Sequence, residues 1–516
     1  MTLISQYSCL NNNYSPVEYA LTLSEDYIRN STIEYRKKRG QFFTPPIVAR
    51  FMAGLSKNLP IRILDPGAGL GILSCAVIEN ICNNINRKCE IQIDLYEKDQ
   101  NIVPLLKKVM EHTRQHFPQV KYKIYPVDFA QEILLKHGNI FGRENILYDL
   151  IIANPPYFKI QSTSTIARTA KFNNLQGNTN IYSLIMALSK DLLKDAGEMI
   201  FIVPRSFCSG LYFKYFRQEI LREMSLDYLH IFNSRRNVFS NDSVLQENII
   251  IKMSKQPQKQ TIKISSSYGI DDLPHAKADL VDVRKVIDTK SGLYTIRIPL
   301  SNEDEQIMDI VHNWNASLSS LNMAISTGPI VSYRSKSWLA QNQTEYPLIC
   351  LNNVKPMEIS WPITHPQKPQ YVKKCPESSK WLVPNSNYIL LRRFSAKEER
   401  QRLVATPLLK NRFNTAFIGI ENHLNFIYRP KGTLTIDETY GIAALLNSRI
   451  LNRYFQIING HTQVNATELQ KIPLPQKEAI IEMGKLVRTT NQIDNIVFKI
   501  LQNIASKSER LVLANV

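Results

Sequence analysis

The run Asp149-Leu-Ile-Ile-Ala-Asn154-Pro-Pro-Tyr157 holds the residue types best suited to chemistry. Its apolar part reads as a strand, and proline cannot continue a central strand because it gives no N–H to the ladder. The chain must leave the sheet there, with Asn154, Pro155, Pro156 and Tyr157 at its carboxyl edge. An aromatic amino nitrogen is a poor nucleophile, since its lone pair is delocalised into the ring. Two acceptors, the Asn154 side-chain carbonyl and the Pro155 backbone carbonyl, suit the two hydrogens of such a group. They favour a pyramidal nitrogen that can attack an electrophilic methyl group in line. Positioning and electrostatics carry that step, and no covalent intermediate is needed. Tyr157 is placed to stack on the base, which must leave a duplex to reach the site. Phe239, in Asn237-Val-Phe-Ser-Asn-Asp242, is the candidate for the opposite wall. The plain alternatives are a strand-terminating turn at Asn154–Tyr157 and a core position for Phe239.

A second constellation suits a nucleoside ligand. Asp65-Pro-Gly67-Ala68-Gly69-Leu-Gly71 follows an apolar run and precedes a helical one. Glycines in that place let the backbone turn sharply and approach a ligand. The next strand ends in Tyr96-Glu97, where a carboxylate can accept hydrogen bonds from both ribose hydroxyls. A third strand leads to Asp128-Phe129, suited to bind and cover an adenine ring. Upstream, Gly40-Gln-Phe-Phe-Thr44-Pro-Pro46 reads as a helix start, with Thr44 at the N-cap and prolines in the first turn. Free backbone N–H groups there suit a carboxylate.

These motifs need a scaffold, and the chain supplies one. Between about 61 and 255, strand patterns at 61–64, 91–96, 121–125, 150–153, 198–203, 226–232 and 248–253 alternate with helical stretches such as 182–193. This rhythm predicts a largely parallel sheet covered on both faces, with ligands at the carboxyl ends of its strands. The polar run 255–260 marks the end of a first unit, placed at 1–260, with 261–300 as a linker. Beyond 300 the rhythm is lost. Prolines and tryptophans cluster in an irregular, strand-rich region at 301–475, an amphipathic helix is expected over 440–455, and a terminal helix within 476–516.

Composition narrows the function. Hydrophobic residues at 44% and charged residues at 21% describe a folded globular protein. No apolar run is long enough to span a bilayer, and the polar start lacks the pattern of a secretory signal, so a cytoplasmic protein without membrane contact is expected. Seven dispersed cysteines without a Cys-x-x-Cys pair speak against a disulfide framework and a metal site. His112 and His116 lie four apart on a helical stretch, but without the adjoining Glu of a zinc site they read as a solvated helix face. The net charge of +18 suits a polyanion such as nucleic acid. Residues 331–460 hold 18 Lys/Arg against 8 Asp/Glu. Arg392, Arg393, Lys397, Arg400 and Arg402 form its densest cluster and Lys373 with Lys374 another, all candidates for phosphate contact. The plain reading of the first cluster is a solvated charged helix over 395–403. His461 and Gln463 are candidates for base edges.

The order GQFFTPP, DPGAGLG, YEKD, VDF, ANPPY and NVF resembles the gamma class of amino-methylating DNA methyltransferases. The stretches 233–248, 447–455, 460–463 and 472–475 are similar to the PstI/BsuBI-type subgroup of type II restriction–modification systems. The resemblance implies a class I, Rossmann-like α/β fold with a mostly parallel seven-stranded sheet, and a C-terminal mixed α+β recognition domain. It implies S-adenosylmethionine as cofactor and N6 of adenine in double-stranded DNA as target, with no metal. Thr44 would bind the methionine carboxylate, Asp65 with Gly67, Ala68 and Gly69 would line the cofactor, and Glu97 would hold its ribose. Asp128 would bind its adenine amino group and Phe129 pack on the ring. Asn154, Pro155, Pro156 and Tyr157 would form the catalytic loop. A cognate restriction endonuclease would act as a separate chain.

Alternatives stay open. Methylation of cytosine N4 uses the same amino chemistry. Cytosine C5 chemistry needs a Cys nucleophile, and Cys375-Pro376 has the wrong order outside the catalytic half. Release-factor glutamine methyltransferases share Asn-Pro-Pro-Tyr but lack a long basic C-terminal domain. RNA adenine methylation is a further reading. A non-catalytic DNA-binding subunit would be expected to lose the glycine loop or Asn-Pro-Pro-Tyr, and both are intact.

Overall fold

A computed structural model of the chain describes residues 14–56, 60–84, 90–137, 146–161, 180–233, 247–364, 368–395, 401–459, 463–490 and 492–504. The chain divides into two units, Met1–Leu300 and Ser301–Val516.

The first unit is organised by strands whose β-branched and leucine side chains are buried on both faces. Ile63, Leu64, Leu150, Ile151 and Ile152 are wholly inaccessible to solvent, each such burial contributing about 1.5–3 kcal/mol. The strands are β1 (Arg62–Asp65), β2 (Ile91–Tyr96), β3 (Val120–Tyr125), β4 (Tyr148–Ala153), β5 (Leu193–Pro204), β6 (Ser225–Phe232), β7 (Asn248–Ser254), β8 (Thr261–Ser267) and β9 (Ala278–Asp282). They form one sheet in the order β3-β2-β1-β4-β5-β7-β6-β8-β9. β1 to β5 run parallel, while β7 is antiparallel to both neighbours, β5 and β6. β8 runs parallel to β6, and β9 returns antiparallel.

Two expectations are corrected here. Among the described residues the sheet has nine strands, not seven, and residues 261–300 are not a linker. The run 261–267 alternates exposed and buried positions and docks on β6, so the first unit extends to Leu300. Polar punctuation at 255–260 marks a turn between strands rather than a domain boundary.

The helices bracket the sheet: α1 (Pro16–Asn30), α2 (Ile33–Arg39), α3 (Pro46–Leu55), α4 (Ile72–Asn84), α5 (Val103–His116), α6 (Phe129–His137), α7 (Ile181–Asp191) and α8 (Lys214–Glu223). His112 on α5 is not on a solvated face. It is buried, its ring stacks on Tyr19 of α1 at 4.1 Å, and its Nε2 lies 2.8 Å from the Tyr14 carbonyl.

The second unit is strand-rich. An antiparallel four-stranded sheet orders Ala324–Thr327, Leu424–Tyr428, Tyr388–Arg392 and Ala405–Leu408. A five-stranded mixed sheet contains Tyr346–Ile349 and Phe417–Ile420 as parallel neighbours. The helix expected over 440–455 is two helices, Ile436–Asn447 and Arg449–Ile458. Ser448 breaks it: its backbone is extended and its side chain accepts from Leu451 N–H as an N-cap. The terminal helix is likewise two, Lys477–Val487 and Ile493–Ile504. Residues 395 and 401–403 are not helical and Leu403 is wholly buried, while 396–400, the rest of the expected charged helix, lie outside the described residues.

Candidate active site

Strand order reverses between β1 and β4, and ligands of open α/β sheets bind at such a switch point. The register brings Asp65 opposite Leu95, Tyr96 opposite Tyr125 and Ala153 opposite Phe201, so the loops after β1, β2, β3 and β4 leave from one edge. An open cleft lies there. Thr44, Gly67, Ala68, Gly69, Glu97, Asp128, Phe129, Asn154 and Pro156 all line it, although the sequence spreads them over more than a hundred positions.

The glycine loop is held by acceptors from β2. Ala68 N–H donates to the Tyr96 carbonyl at 2.9 Å. Glu97 accepts from Gly69 N–H through Oε2 at 3.0 Å and from Asp99 N–H through Oε1 at 2.7 Å. Burial raises the Glu97 carboxyl pKa above its ordinary value, against the pull of those N–H groups. An ideal Cβ built on Gly67 would meet no atom within 4 Å, although Gly67 lines the cleft. Glycine there leaves room that no other side chain uses, which fits a bound nucleoside. Asp128 Oδ1 accepts from Gln131 N–H at the start of α6, and its Oδ2 pairs with Lys98 at 3.0 Å. Phe129 is buried edge-on to Tyr96 at 5.2 Å.

Asp65 does not line the cleft. It is wholly buried beneath the loop, where Ser74 Oγ donates to its Oδ2 at 2.7 Å and Gly67 N–H reaches its Oδ1 at 3.4 Å. Burial pushes its carboxyl up to about 7. Its place is to shape the turn rather than to touch a ligand.

Thr44 lies in the cleft wall, yet it is not the N-cap of α3. That position is Pro45, with φ −61° and ψ 146°, and no side chain caps the helix. A residue before proline is pushed out of the helical region, so Pro46 holds Pro45 extended and Pro45 does the same to Thr44. The Thr44 hydroxyl is left for another partner.

That partner is Asn154. Its Nδ2 donates to the Thr44 hydroxyl at 3.1 Å and to the Phe42 carbonyl at 2.9 Å. A backbone carbonyl can only accept, so the amide cannot turn over without losing that bond. Its Oδ1 is thereby directed away and accepts from the Tyr157 hydroxyl at 2.6 Å. Tyr157 also lies 3.0 Å from the Ile202 carbonyl, and its half-buried ring is nearly parallel to Phe42 at 5.7 Å. Burial raises the Tyr157 pKa well above the ordinary phenol value, so the group is a neutral donor. No described residue donates to the Pro155 carbonyl.

Several contributors carry no obvious sequence signal. Gly40 ends α2 at φ +65°, and a Cβ there would lie 2.8 Å from Cβ of Pro156. The close approach seats the segment 40–44 against the Asn154 loop. Buried Asp99 accepts from Tyr27 and Gln41, contacts Tyr35 and lies 3.5 Å from Arg39 Nε, tying the N-terminal helices to β2. The run Glu97-Lys98-Asp99 is visible in the sequence, but its partners lie some sixty residues away.

Phe239, Lys397, Arg400 and His461 lie outside the described residues. In the second unit, Arg392 Nε donates to the Val354 carbonyl at 2.7 Å and Arg393 Nη1 to the Asn422 carbonyl at 3.3 Å. Arg402 is only 8% exposed, which takes it out of the surface cluster. Lys373 and Lys374 are both exposed, on an edge whose backbone is held by Trp338 and Glu345. Gln463 forms an isolated bridge with Phe394. Among the described residues, no group of three or more His, Cys, Asp or Glu could hold a metal ion, and no helix is long and apolar enough to cross a membrane.

A switch-point cleft, a glycine loop tied to an acidic β2 terminus and a clamped Asn-Pro-Pro-Tyr loop define a class I methyltransferase. Residues 71–239 match the Eco57I restriction-modification methylase family. The chain is 34% identical to the type II methyltransferase M.BsuBI of Bacillus subtilis, over 94% of this chain and 96% of that one. It is 31% identical to the type II methyltransferase M.PstI of Providencia stuartii, over 94% and 98% respectively. The chain therefore belongs to the type II restriction–modification methyltransferase family. The solved DrdV–DNA complex shares the fold, with a TM-score of 0.53 and 12% identity over 93% of this chain and 60% of that one.

Proposed function

We propose that this protein transfers the methyl group of S-adenosylmethionine to N6 of an adenine flipped out of double-stranded DNA. It would act at one short recognition sequence, as the modification enzyme of a type II restriction–modification system. The observation that carries the reading is the clamp on Asn154. With Nδ2 fixed by Phe42 and Thr44, Oδ1 has one fixed direction, and a carbonyl oxygen has a second lone pair beyond the one Tyr157 uses. Asn154 Oδ1 and the Pro155 carbonyl are then the two acceptors for the amino hydrogens of the base. Their pull localises the nitrogen lone pair, and since both are in place beforehand the step costs little reorganisation.

S-adenosylmethionine supplies an electrophilic methyl on sulfonium sulfur. Glu97 would hold the ribose hydroxyls, Asp128 and Phe129 the adenine, and the Gly67–Gly69 turn would give the nucleoside room. Thr44 backbone and side chain would meet the carboxylate end. The half-buried Tyr157 ring would stack on the target base, with Phe239 as the opposing wall. The basic second unit would contact DNA through Arg393, Lys373, Lys374 and Gln463, with Lys397, Arg400 and His461 on the same stretch of chain. The excess of cations over 331–460 and the family membership support a DNA partner.

Methylation-sensitive long-read sequencing of DNA from cells expressing the chain, beside an Asn154→Ala control, tests this. N6-methyladenine at one motif, absent in the control, is expected. Modified cytosine would replace the adenine assignment by N4 chemistry, and an unmodified genome would overturn the DNA reading.

A further inference from the structure

In the second unit, the turn Glu421-Asn422-His423 joins the strands Phe417–Ile420 and Leu424–Tyr428. Its backbone is pinned from three directions. Glu421 N–H donates to Ile349 at 2.9 Å, Asn422 N–H to Ile330 at 2.8 Å, and Arg393 N–H donates to the His423 carbonyl at 2.9 Å. The Glu421 side chain is wholly buried, yet two side chains facing it reach solvent, Lys368 at 43% and His423 at 39% exposure. Oε1 accepts from Ser332 Oγ at 2.7 Å and Lys368 Nζ at 2.9 Å, and His423 Nδ1 lies 3.1 Å away. Oε2, the buried Oδ1 of Asn422 and the buried Nδ1 of His423 have no well-aligned hydrogen-bond partner among the described residues, so His423 meets Glu421 at ion-pair distance.

Burying a carboxylate costs several kcal/mol unless its partners compensate. Burial opposes the charge on Glu421, and Lys368, Ser332 and His423 together outweigh it, holding the carboxyl below its ordinary value. The buried carboxylate also fixes two cation-forming side chains beside one another, His423 on the rigid turn and Lys368 facing it. A free lysine samples many rotamers, and fixing it in advance is what a recognition surface needs. An ammonium has three N–H donors, of which Glu421 takes one.

The surroundings suit a polyanion. The Phe394 ring lies 5.3 Å from the His423 ring, Phe394 bridges to Gln463, and the Arg393 guanidinium reaches the Asn422 carbonyl. Tyr333, 67% exposed, carries the Arg334 guanidinium over its ring in the loop that supplies Ser332. Two of the residues singled out from sequence, Arg393 and Gln463, thus converge on this turn.

We propose that Lys368 and His423, held in place by Glu421, read the O6 and N7 edge of one guanine in the major groove of the recognition sequence. With Nδ1–H turned to the Glu421 carboxylate, His423 donates through Nε2 only as the imidazolium. That cation and the Lys368 ammonium are two adjacent donors, which match guanine, with two acceptors there, better than adenine, with one acceptor and one donor. Glu421 is a positioning residue. The inference rests on the reading of the chain as a DNA methyltransferase and adds which residues set its specificity.

The test uses the full chain and a panel of duplexes carrying every single base-pair change in the motif found for the unaltered protein, with transfer of labelled methyl as the readout. His423→Gln and Lys368→Gln each leave Glu421 its other partner and put an amide donor in place of the one removed, so they keep the fold. Each is expected to lose about 10- to 100-fold in preference for G·C at one position, with the other positions unchanged. Glu421→Gln should relax the same position, an effect that a merely structural role would not produce alongside its loss of thermal stability. Unchanged preference at every position in the folded variants would overturn the proposal. So would a uniform loss on all duplexes with a salt slope reduced by about one, the mark of a phosphate contact. If the unaltered protein methylates no duplex, the DNA reading falls, and this proposal with it.

Discussion

The Tyr157 hydroxyl donates to Oδ1 of Asn154 at 2.6 Å, the same oxygen proposed to receive an amino hydrogen of the target base. In the proposed reaction the aromatic residue of the loop would do two things, offering a ring face and orienting an acceptor. Tyr157→Phe separates them, because it keeps the ring and removes the donor. The amide is still held by Phe42 and Thr44, so the expected loss is that of one hydrogen bond, about 1 kcal/mol or 5- to 10-fold in kcat. KM for DNA should hardly move. Steady-state kinetics decide: an unchanged kcat would leave the clamp to Phe42 and Thr44 alone, and a raised KM would assign the hydroxyl to binding.

Gly40 tests the seat of the catalytic loop. At φ +65° any other residue is strained by about 1–2 kcal/mol, and its Cβ would meet Pro156 at 2.8 Å. Gly40→Ala is expected to push the Asn154 loop out of register and cost more than about 10-fold in transfer, since small misplacements at a reacting centre are expensive. Gly54→Ala is the control. It lies in α3 with nothing within 4 Å of its Cβ, and should be neutral in activity and more stable by about 0.5–1 kcal/mol. Equal activity in both variants would refute the packing argument.

Glu97→Gln probes the cofactor site. One amide oxygen cannot accept from both Gly69 and Asp99 N–H as the carboxylate does, so an N–H would face the new NH₂ group. The loss of a charge-assisted bond, about 1.5–3 kcal/mol, predicts S-adenosylmethionine binding weaker by about 10- to 100-fold in calorimetry. Unchanged affinity would mean that the ribose is held elsewhere.

The parts of this molecule legible in its sequence are those where one local constraint decides. Prolines at 155 and 156 had to end β4, and apolar runs such as Ile91–Tyr96 had no place but a buried strand. Positions set by distant partners were not legible. Thr44 looks like a helix cap until Pro45 and Pro46 are placed in three dimensions, and its partner Asn154 lies 110 residues away. Asp65 looks like a ligand group because it adjoins the glycines, but β1 carries it under the loop. Residues 261–267 read as a linker because their alternating pattern is short and polar, and only the free edge of β6 makes them a strand. Glu421 gave no signal at all, since a lone acidic residue is ordinarily a surface one.

The last prediction concerns acid stability. His230 on β6 is wholly buried, packed near Phe51 and Phe232, with Nδ1 2.8 Å from Ser265 Oγ and Nε2 3.1 Å from Ser267 Oγ. Burial pushes its pKa down to about 4, with Asp272 pulling weakly the other way. An unfolded histidine titrates near 6.5, so between about pH 4 and 6.5 the unfolded chain binds the extra proton and the folded one does not. Stability of the first unit should therefore rise with pH across that window and be flat above it, acidification costing on the order of 3 kcal/mol from this group. All four tryptophans, at 314, 338, 361 and 381, lie in the second unit, so their fluorescence is blind to the effect. Hydrogen exchange in β6 and β8 is the appropriate probe. Protection there should fall from pH 6.5 to 4.5 after correction for intrinsic rates, and His230→Gln should flatten the fall. An equally steep fall in that variant would assign acid sensitivity to other groups.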